Sequence, residues 1–184
     1  MDELLSIPGL AGETWTVELS HEMILRTFLE RFPSRFHAAL LEALPSYLAR
    51  GSDVRVRQQL SSAGVPVTLL DEIDAWNLRG DFDPTVHQLM SLLTPVERAR
   101  LAEPLAYLSQ VTRLARQFGM HHPLCLVPLF SHTHKHYRNG TMMAVTKMMN
   151  GGKHRDILAV GGRYDELLRC FASVSYTHLT LPTI

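Results

Sequence analysis

The chain has 184 residues, of which 46% are hydrophobic and 20% charged, and its net charge is zero. Those values suit one globular domain with a sizeable core and exclude a disordered, collagenous or membrane-spanning chain. Zero net charge supplies no global field toward nucleic acid, so any RNA contact must rest on a local basic patch.

Two cysteines, Cys125 and Cys170, lie far apart and form neither a disulfide framework nor a zinc spacing, which fits a reducing compartment. The opening Met1-Asp2-Glu3-Leu4-Leu5 is acidic and lacks the basic start of a signal peptide. No apolar run is long enough to cross a bilayer. A cytoplasmic location and no membrane partner are expected.

Residues 1–14, with Pro8, Gly9 and Gly12, read as a loop or frayed start. Trp15-Thr16-Val17-Glu18-Leu19 alternates apolar and polar residues and predicts a half-buried strand. Ser20 is placed to cap the next helix, in which Met23, Ile24, Phe28, Leu29 and Phe32 fall at helical spacing before Pro33. His21 is read as a helix-terminal imidazole bonded to backbone. From 34 to 120 the pattern is helical almost throughout. Ser34 opens a run with Phe36, Leu40, Leu41 and Leu44 that Pro45 is expected to break or kink, and Gly51 stands where a C-cap belongs. Ser52 opens a further helix that ends near Gly64-Val65-Pro66. Asp71, Glu72 and Asp74 are read as a solvated acidic helix end without a shared face, not as a metal or acid–base cluster.

Asp83-Pro84 predicts an N-cap with proline at the first helical position, followed by the apolar stripe Val86, Leu89, Met90 and Leu93. Thr94-Pro95-Val96-Glu97 fits a capping box. Pro104 is expected to divide the helical segment after that box, leaving a helix from Leu105 to Phe118 that Gly119 ends. These stripes are core faces. Leu124 to Phe130 predicts a buried strand, with Pro128 at an edge or bulge. His132, His134 and His136 would share one side of an extended strand. No carboxylate or fourth ligand accompanies them, so no metal site is expected, and a solvated or RNA-facing segment accounts for them. Tyr137 to Lys147 reads as another strand, and Asn150-Gly151-Gly152 as a hairpin turn.

Ile157-Leu158-Ala159-Val160 then predicts a strand buried on both faces, ended by Gly161-Gly162. Arg163 follows, a planar cation suited to phosphate or carboxylate, and Asp165-Glu166-Leu167-Leu168-Arg169 reads as a helix start. Strand, glycine turn, arginine and helix start make a candidate anion-handling corner.

Ala159-Val160-Gly161-Gly162-Arg163-Tyr164-Asp165-Glu166-Leu167 resembles the A-G-G-R-Y-D-x-L segment of histidyl-tRNA synthetases and their relatives. Those relatives include the synthetase-like domain of the general-control kinase that senses amino-acid starvation. Leu19 to Leu25 resembles the strand, Asn-His and leucine helix of that family, with Ser20 in place of the usual Asn. The resemblance implies an α+β fold, in which a partial class II synthetase-like antiparallel sheet carries a helical insertion lobe. It divides the chain into a front strand and helix (1–33), a helical insertion (34–120) and last antiparallel strands forming a meander (121–172). Residues 173–184 are set apart, because Val174 to Thr183 resembles the translation of a sequencing-library adapter.

The family motif R-G-L-D-Y-Y-x-G-T-x-F-E falls on this chain with its G-T at Gly140-Thr141 and its first tyrosine at Tyr137. Its arginine then meets Thr133, its aspartate His136, its second tyrosine Arg138 and its glutamate Ala144. Losing one such charged contact typically removes several kcal/mol of transition-state stabilisation. The resemblance therefore implies a vestigial histidine/adenylate pocket of Tyr137, Asn139, Gly140, Thr141, Gly161, Gly162 and Arg163, with no catalytic residue and no cofactor in this stretch. Lys147, Lys153, His154 and Arg155 flank the hairpin as candidate RNA contacts. The implied partners are uncharged tRNA, a kinase domain in the same full-length chain, and a second copy in a homodimer. Two alternatives stay open: an active histidine–tRNA ligase using ATP and Mg, and the synthetase-like regulatory subunit of ATP phosphoribosyltransferase.

Overall fold

In the computed structural model, which describes residues 15–50, 54–131, 140–149 and 154–163, the first apolar alternation forms β1 (Trp15–His21). It is the central strand of a five-stranded sheet in the order β2-β3-β1-β4-β5, with β2 at Gly80–Asp81, β3 at Leu124–Leu126, β4 at Thr141–Met149 and β5 at His154–Gly162. β4 runs antiparallel to β1, from Trp15 opposite Lys147 to His21 opposite Thr141. β5 continues antiparallel on β4, with Met142 opposite Gly162. β3 lies on the other side of β1 and runs parallel to it, with Val17 opposite Leu124.

The implied sheet of antiparallel strands is thus a mixed one. The helices between β1 and β3 act as a crossover, returning the chain so that β3 enters in the direction of β1, as parallel pairing requires. The strand predicted from Leu124 to Phe130 is confined to its first three residues, and the buried stretch beyond them turns at Phe130, whose N–H donates to the Val127 carbonyl (3.1 Å).

Both faces of β1 are covered, where alternation predicts one. Val17, Leu19 and Leu124 pack with Ala115, Met120 and Met143. On the opposite face Val127, Phe130, Met142 and Ala144 pack against Leu48, and Glu18 and Ser20 are fully buried. β5 departs from expectation in the other direction. It is the edge of the sheet among the described residues, and Ile157 and Leu158 are each about half exposed. An apolar run reports composition and not the number of neighbours a strand receives.

The helical block comprises α1 (Glu22–Leu29), a 3-10 turn (Ser34–Phe36), α2 (His37–Arg50), α3 (Val54–Ser62), α4 (Val67–Trp76), α5 (Phe82–Leu92) and α6 (Pro95–Gln117). His21, and not Ser20, caps α1: its extended backbone ends the strand and its Nδ1 accepts from the Met23 N–H at 3.1 Å. Ser20 instead belongs to β1. Asp81 takes the cap position before α5, leaving Asp83 and Pro84 in its first turn.

Neither interior proline ends its helix. α2 runs through Pro45, and α6 runs 23 residues through Pro104. A helix-interior proline costs about 3 kcal/mol. The burial of Leu40, Leu44 and Tyr47 in α2, and of Leu101, Leu105 and Leu108 in α6, offsets it. The capping box forms as the sequence predicts, with Thr94 and Glu97 bonding each other's backbone N–H. Gly64 (φ 82°) and Gly119 (φ 86°) close α3 and α6 in the left-handed region that glycine occupies at little cost. Gly51 and Ser52 lie outside the described residues.

The carboxylates of α4 are paired. Arg57 meets Asp71 (Nη2 to Oδ1, 3.2 Å) and Asp74, so these two share a helical face. Glu72 receives Arg31 and the Trp76 indole N–H (3.0 Å). One hydrophobic cluster joins Ile24 and Phe28 of α1 to Leu44, Trp76, Leu89 and Leu108, and extends to Leu126 and Leu129 beside the sheet. The fold is α+β, with its helices packed on a partial mixed sheet.

Candidate functional site

Three strand ends converge where the glycine–arginine motif leaves β5. The Arg163 N–H donates to the Thr141 carbonyl (2.9 Å), and the Gly140 carbonyl accepts the Glu22 N–H (3.1 Å), so the start of β4 is tied to β5 and to the first residue of α1. Gly140 must be glycine because a Cβ there would stand 2.9 Å from the Arg163 Cβ. At Gly161 a Cβ would press on the Met143 Cγ at 3.3 Å. Gly140 thus lets the Arg163 stem pass close over the backbone at the start of β4, and Gly161 leaves room for the Met143 side chain.

Arg163 is exposed, and its guanidinium carbon sits 5.4 Å from the ring centre of Tyr107, a cation–π contact with α6. His21 lies across the same corner, paired in register with Thr141. Burial pushes the His21 pKa down and the nearby Arg163 charge lowers it further, while Glu103 pulls the other way. Its imidazole is therefore neutral at pH 7, consistent with Nδ1 serving as the acceptor that caps α1. The Thr141 hydroxyl is buried and has no hydrogen-bond partner among the described residues. Among the described residues this corner brings together the Arg163 cation, a neutral imidazole, a buried hydroxyl and the nearby Glu103 carboxylate, a set that can orient an anion on its cationic side but shows no nucleophile–base pair.

On the other sheet face lies a buried carboxylate. Glu18 has no exposed surface; Arg79 Nη2 approaches its Oε1 at 2.5 Å, and the Thr146 hydroxyl donates to the same oxygen at 3.1 Å. Its register partners are Ala144 on β4 and Cys125 on β3. Burial, with Asp81 and Glu18 nearby, raises the pKa of the Cys125 thiol and makes it a poor nucleophile. Ala144, where the family motif has glutamate, is fully buried.

Of the residues singled out from sequence, Gly140, Thr141, Gly161, Gly162 and Arg163 stand together. Tyr137 and Asn139 lie outside the described residues, as do Lys153, the three alternating histidines, Cys170 and the helix start after Arg163. Lys147 places its Nζ 5.3 Å over the Trp15 ring. His154 and Arg155 are backbone partners of Met149 and Met148. Sequence reasoning missed Glu103 and Tyr107, whose four-residue spacing puts them on one face of α6 but says nothing of which strand that face meets. It also read Glu18 as an outward polar position. Among the described residues no three His, Cys, Asp or Glu side chains are placed to hold a metal, and no helix is long and apolar enough to cross a membrane.

The chain matches the family model for histidyl-tRNA synthetase over residues 1–176. It is also 25% identical over 177 residues to the eIF-2-alpha kinase GCN2 of Schizosaccharomyces pombe. That similarity covers 93% of this chain and 11% of the kinase, so the chain spans about a tenth of the length of that relative.

Proposed function

The chain belongs to the histidyl-tRNA synthetase family, and from that premise we propose that it is part of a catalytically silent synthetase-like domain. In this reading it binds uncharged tRNA and regulates an eIF2α kinase carried on the same full-length protein. The substitutions along the substrate motif carry the proposal: Thr133, His136, Arg138 and Ala144 stand where the motif has arginine, aspartate, tyrosine and glutamate. A threonine supplies no charge to a developing anion, and an alanine cannot hold an amino group. The carboxylate beside position 144, Glu18, is already bonded to Arg79 and Thr146. The similarity to an eIF-2-alpha kinase over 93% of the chain supports the regulatory half of the reading. Binding of tRNA then works as a population shift: the nucleic acid favours one arrangement of the domain by its differential affinity, and the kinase responds. Retained anion contacts at Arg163, with Lys147, Lys153, His154 and Arg155 near the hairpin, supply phosphate binding.

The family match itself favours a second reading, an active histidine–tRNA ligase with ATP and Mg. Histidine-dependent pyrophosphate exchange by the full-length protein separates the two. The proposal expects exchange at background together with binding of uncharged tRNA in a mobility shift. Exchange well above background overturns it.

A further inference from the structure

Beside α6 the outer strands of the sheet leave an open trough. α6 lies over β1, where Ala115 packs with Val17, Leu19 and Leu124, and Met143 of β4 joins the same cluster. Residues opposite each other in an antiparallel pair project to one face. That face therefore continues onto β5 at Gly161, opposite Met143, and at Ala159, opposite Val145. Gly161 and Met143 are half-buried and Ala159 is exposed, so the floor of the trough is small and apolar. Its wall is a second face of α6. Tyr107, Val111 and Leu114 recur at i, i+4 and i+7 and stand one above the other, roughly a third of a turn round the helix from the buried Leu101, Leu105 and Leu108. Tyr107 and Leu114 are 37% and 38% exposed, and Val111 is half-buried. The contact between Tyr107 and Arg163 turns this face toward β5.

The chain itself leads into the trough. Arg163 follows directly on β5 and touches Tyr107, so the chain leaves the sheet at the upper end of the apolar wall. β5 runs in the direction of β1, and α6 runs against it, from Tyr107 beside Arg163 to Met120 beside Val17. A segment that turns back after Arg163 therefore travels alongside α6 in the same direction. In the sequence that follows, Tyr164, Leu167, Leu168 and Phe171 fall at i, i+3, i+4 and i+7, with Asp165, Glu166 and Arg169 on the opposite side of a helix. From 164 to 171 is seven residues, the same as from Tyr107 to Leu114 and about 10.5 Å at helical rise. An eight-residue helix is marginal in water and needs its apolar face covered. A second copy of the chain suits the trough less well. Three partly exposed side chains fall far short of the roughly 800 Å² per partner that a stable dimer buries.

We propose that residues 164–171 form a helix seated in this trough parallel to α6, with Tyr164 beside Tyr107, Leu168 beside Val111 and Phe171 beside Leu114. The inference is independent of whether the chain binds tRNA.

The test is disulfide trapping and amide hydrogen exchange on the full 184-residue chain. With Cys170→Ser in the background, mild oxidation of Leu114→Cys/Phe171→Cys closes an intramolecular disulfide in most molecules, while the buried Cys125 stays reduced. Arg113→Cys/Phe171→Cys, displaced by about 100° round α6, stays largely open. In the parent chain the amides of Leu168 to Phe171, the first that can bond within such a helix, exchange at least about tenfold more slowly than in an unstructured peptide. Leu168→Asp returns them to the unstructured rate while β1 and β4 keep their protection. Exchange of the parent at the unstructured rate, a link that forms as readily from position 113, or a link between two molecules in place of one within each overturns the proposal.

Discussion

Glu18 is a carboxylate with no exposed surface, and its partners come from two distant places in the chain, Arg79 before β2 and Thr146 on β4. A buried ion pair contributes little net stability when formed, but removing one member leaves the other unpaired. Glu18→Ala should therefore cost about 3 kcal/mol, and Glu18→Gln distinctly less, because the amide oxygen still accepts from Thr146. Urea unfolding of both variants checks the order, and equal losses would show that the hydrogen bond from Thr146 contributes nothing beyond the charge. Gly140 makes a separate prediction. A methyl group 2.9 Å from the Arg163 Cβ forces β4 and β5 apart, so Gly140→Ala should destabilise by about 1–3 kcal/mol. The same experiment on Gly119, where a Cβ meets nothing within 4 Å, isolates the cost of the left-handed backbone alone. Gly161, Gly162 and Arg163 were legible as a corner because glycine and arginine announce local backbone freedom and charge. Tyr107 and Glu103 were not, since nothing in α6 says which strand end its polar face meets.

At the scale of elements, α6 is held by its first turn. Arg31 of the loop after α1 donates to both Glu97 oxygens (2.8 and 2.6 Å), to the Leu92 carbonyl (2.8 Å) and to Glu72, while its guanidinium lies over Trp76. The Arg31 hydrogen bonds, with further ones from Thr94, depress the Glu97 pKa from 4.5 to about 2. A depressed carboxylate stabilises the fold above its unfolded value and loses that contribution as pH falls through the folded value. This network should therefore contribute on the order of 3 kcal/mol at neutral pH, lost between about pH 4.5 and 2. Thermal melts across that window should show a steeper fall for the parent than for Arg31→Met, in which the guanidinium that holds the Glu97 pKa down is gone. Thr94→Ala removes half of the capping box and should cost about 1 kcal/mol. The capping box, the glycine caps and the helical stripes were readable because each is made within a few residues. The breaks expected at the two prolines do not occur because tertiary burial, which no local rule contains, outweighs their cost.

At the scale of the whole molecule, the helical block and the sheet share a hydrophobic cluster that runs from Ile24 and Phe28 to Leu126 and Leu129. The chain should therefore unfold in one cooperative transition, although the resemblance divides it into core and insertion. Two tryptophans report on it: Trp15 is buried in the sheet and Trp76 in the helices. Denaturation curves from single-tryptophan variants should coincide with each other and with far-UV circular dichroism. Separate midpoints would show that residues 34–120 fold as an independent unit.

By itself the sequence determined the α+β class, the positions of most helices and strands, the glycine–arginine corner and the family. Each of these is written in near-neighbour patterns or in a contiguous motif. Only the tertiary structure decided that β3 runs parallel to β1, that β5 is the edge among the described residues, and that Glu18 is buried with Arg79. It alone brought Tyr107 to Arg163. Those outcomes depend on which surfaces meet after the chain has crossed the helical block, and a contact between residues tens of positions apart leaves no local signature.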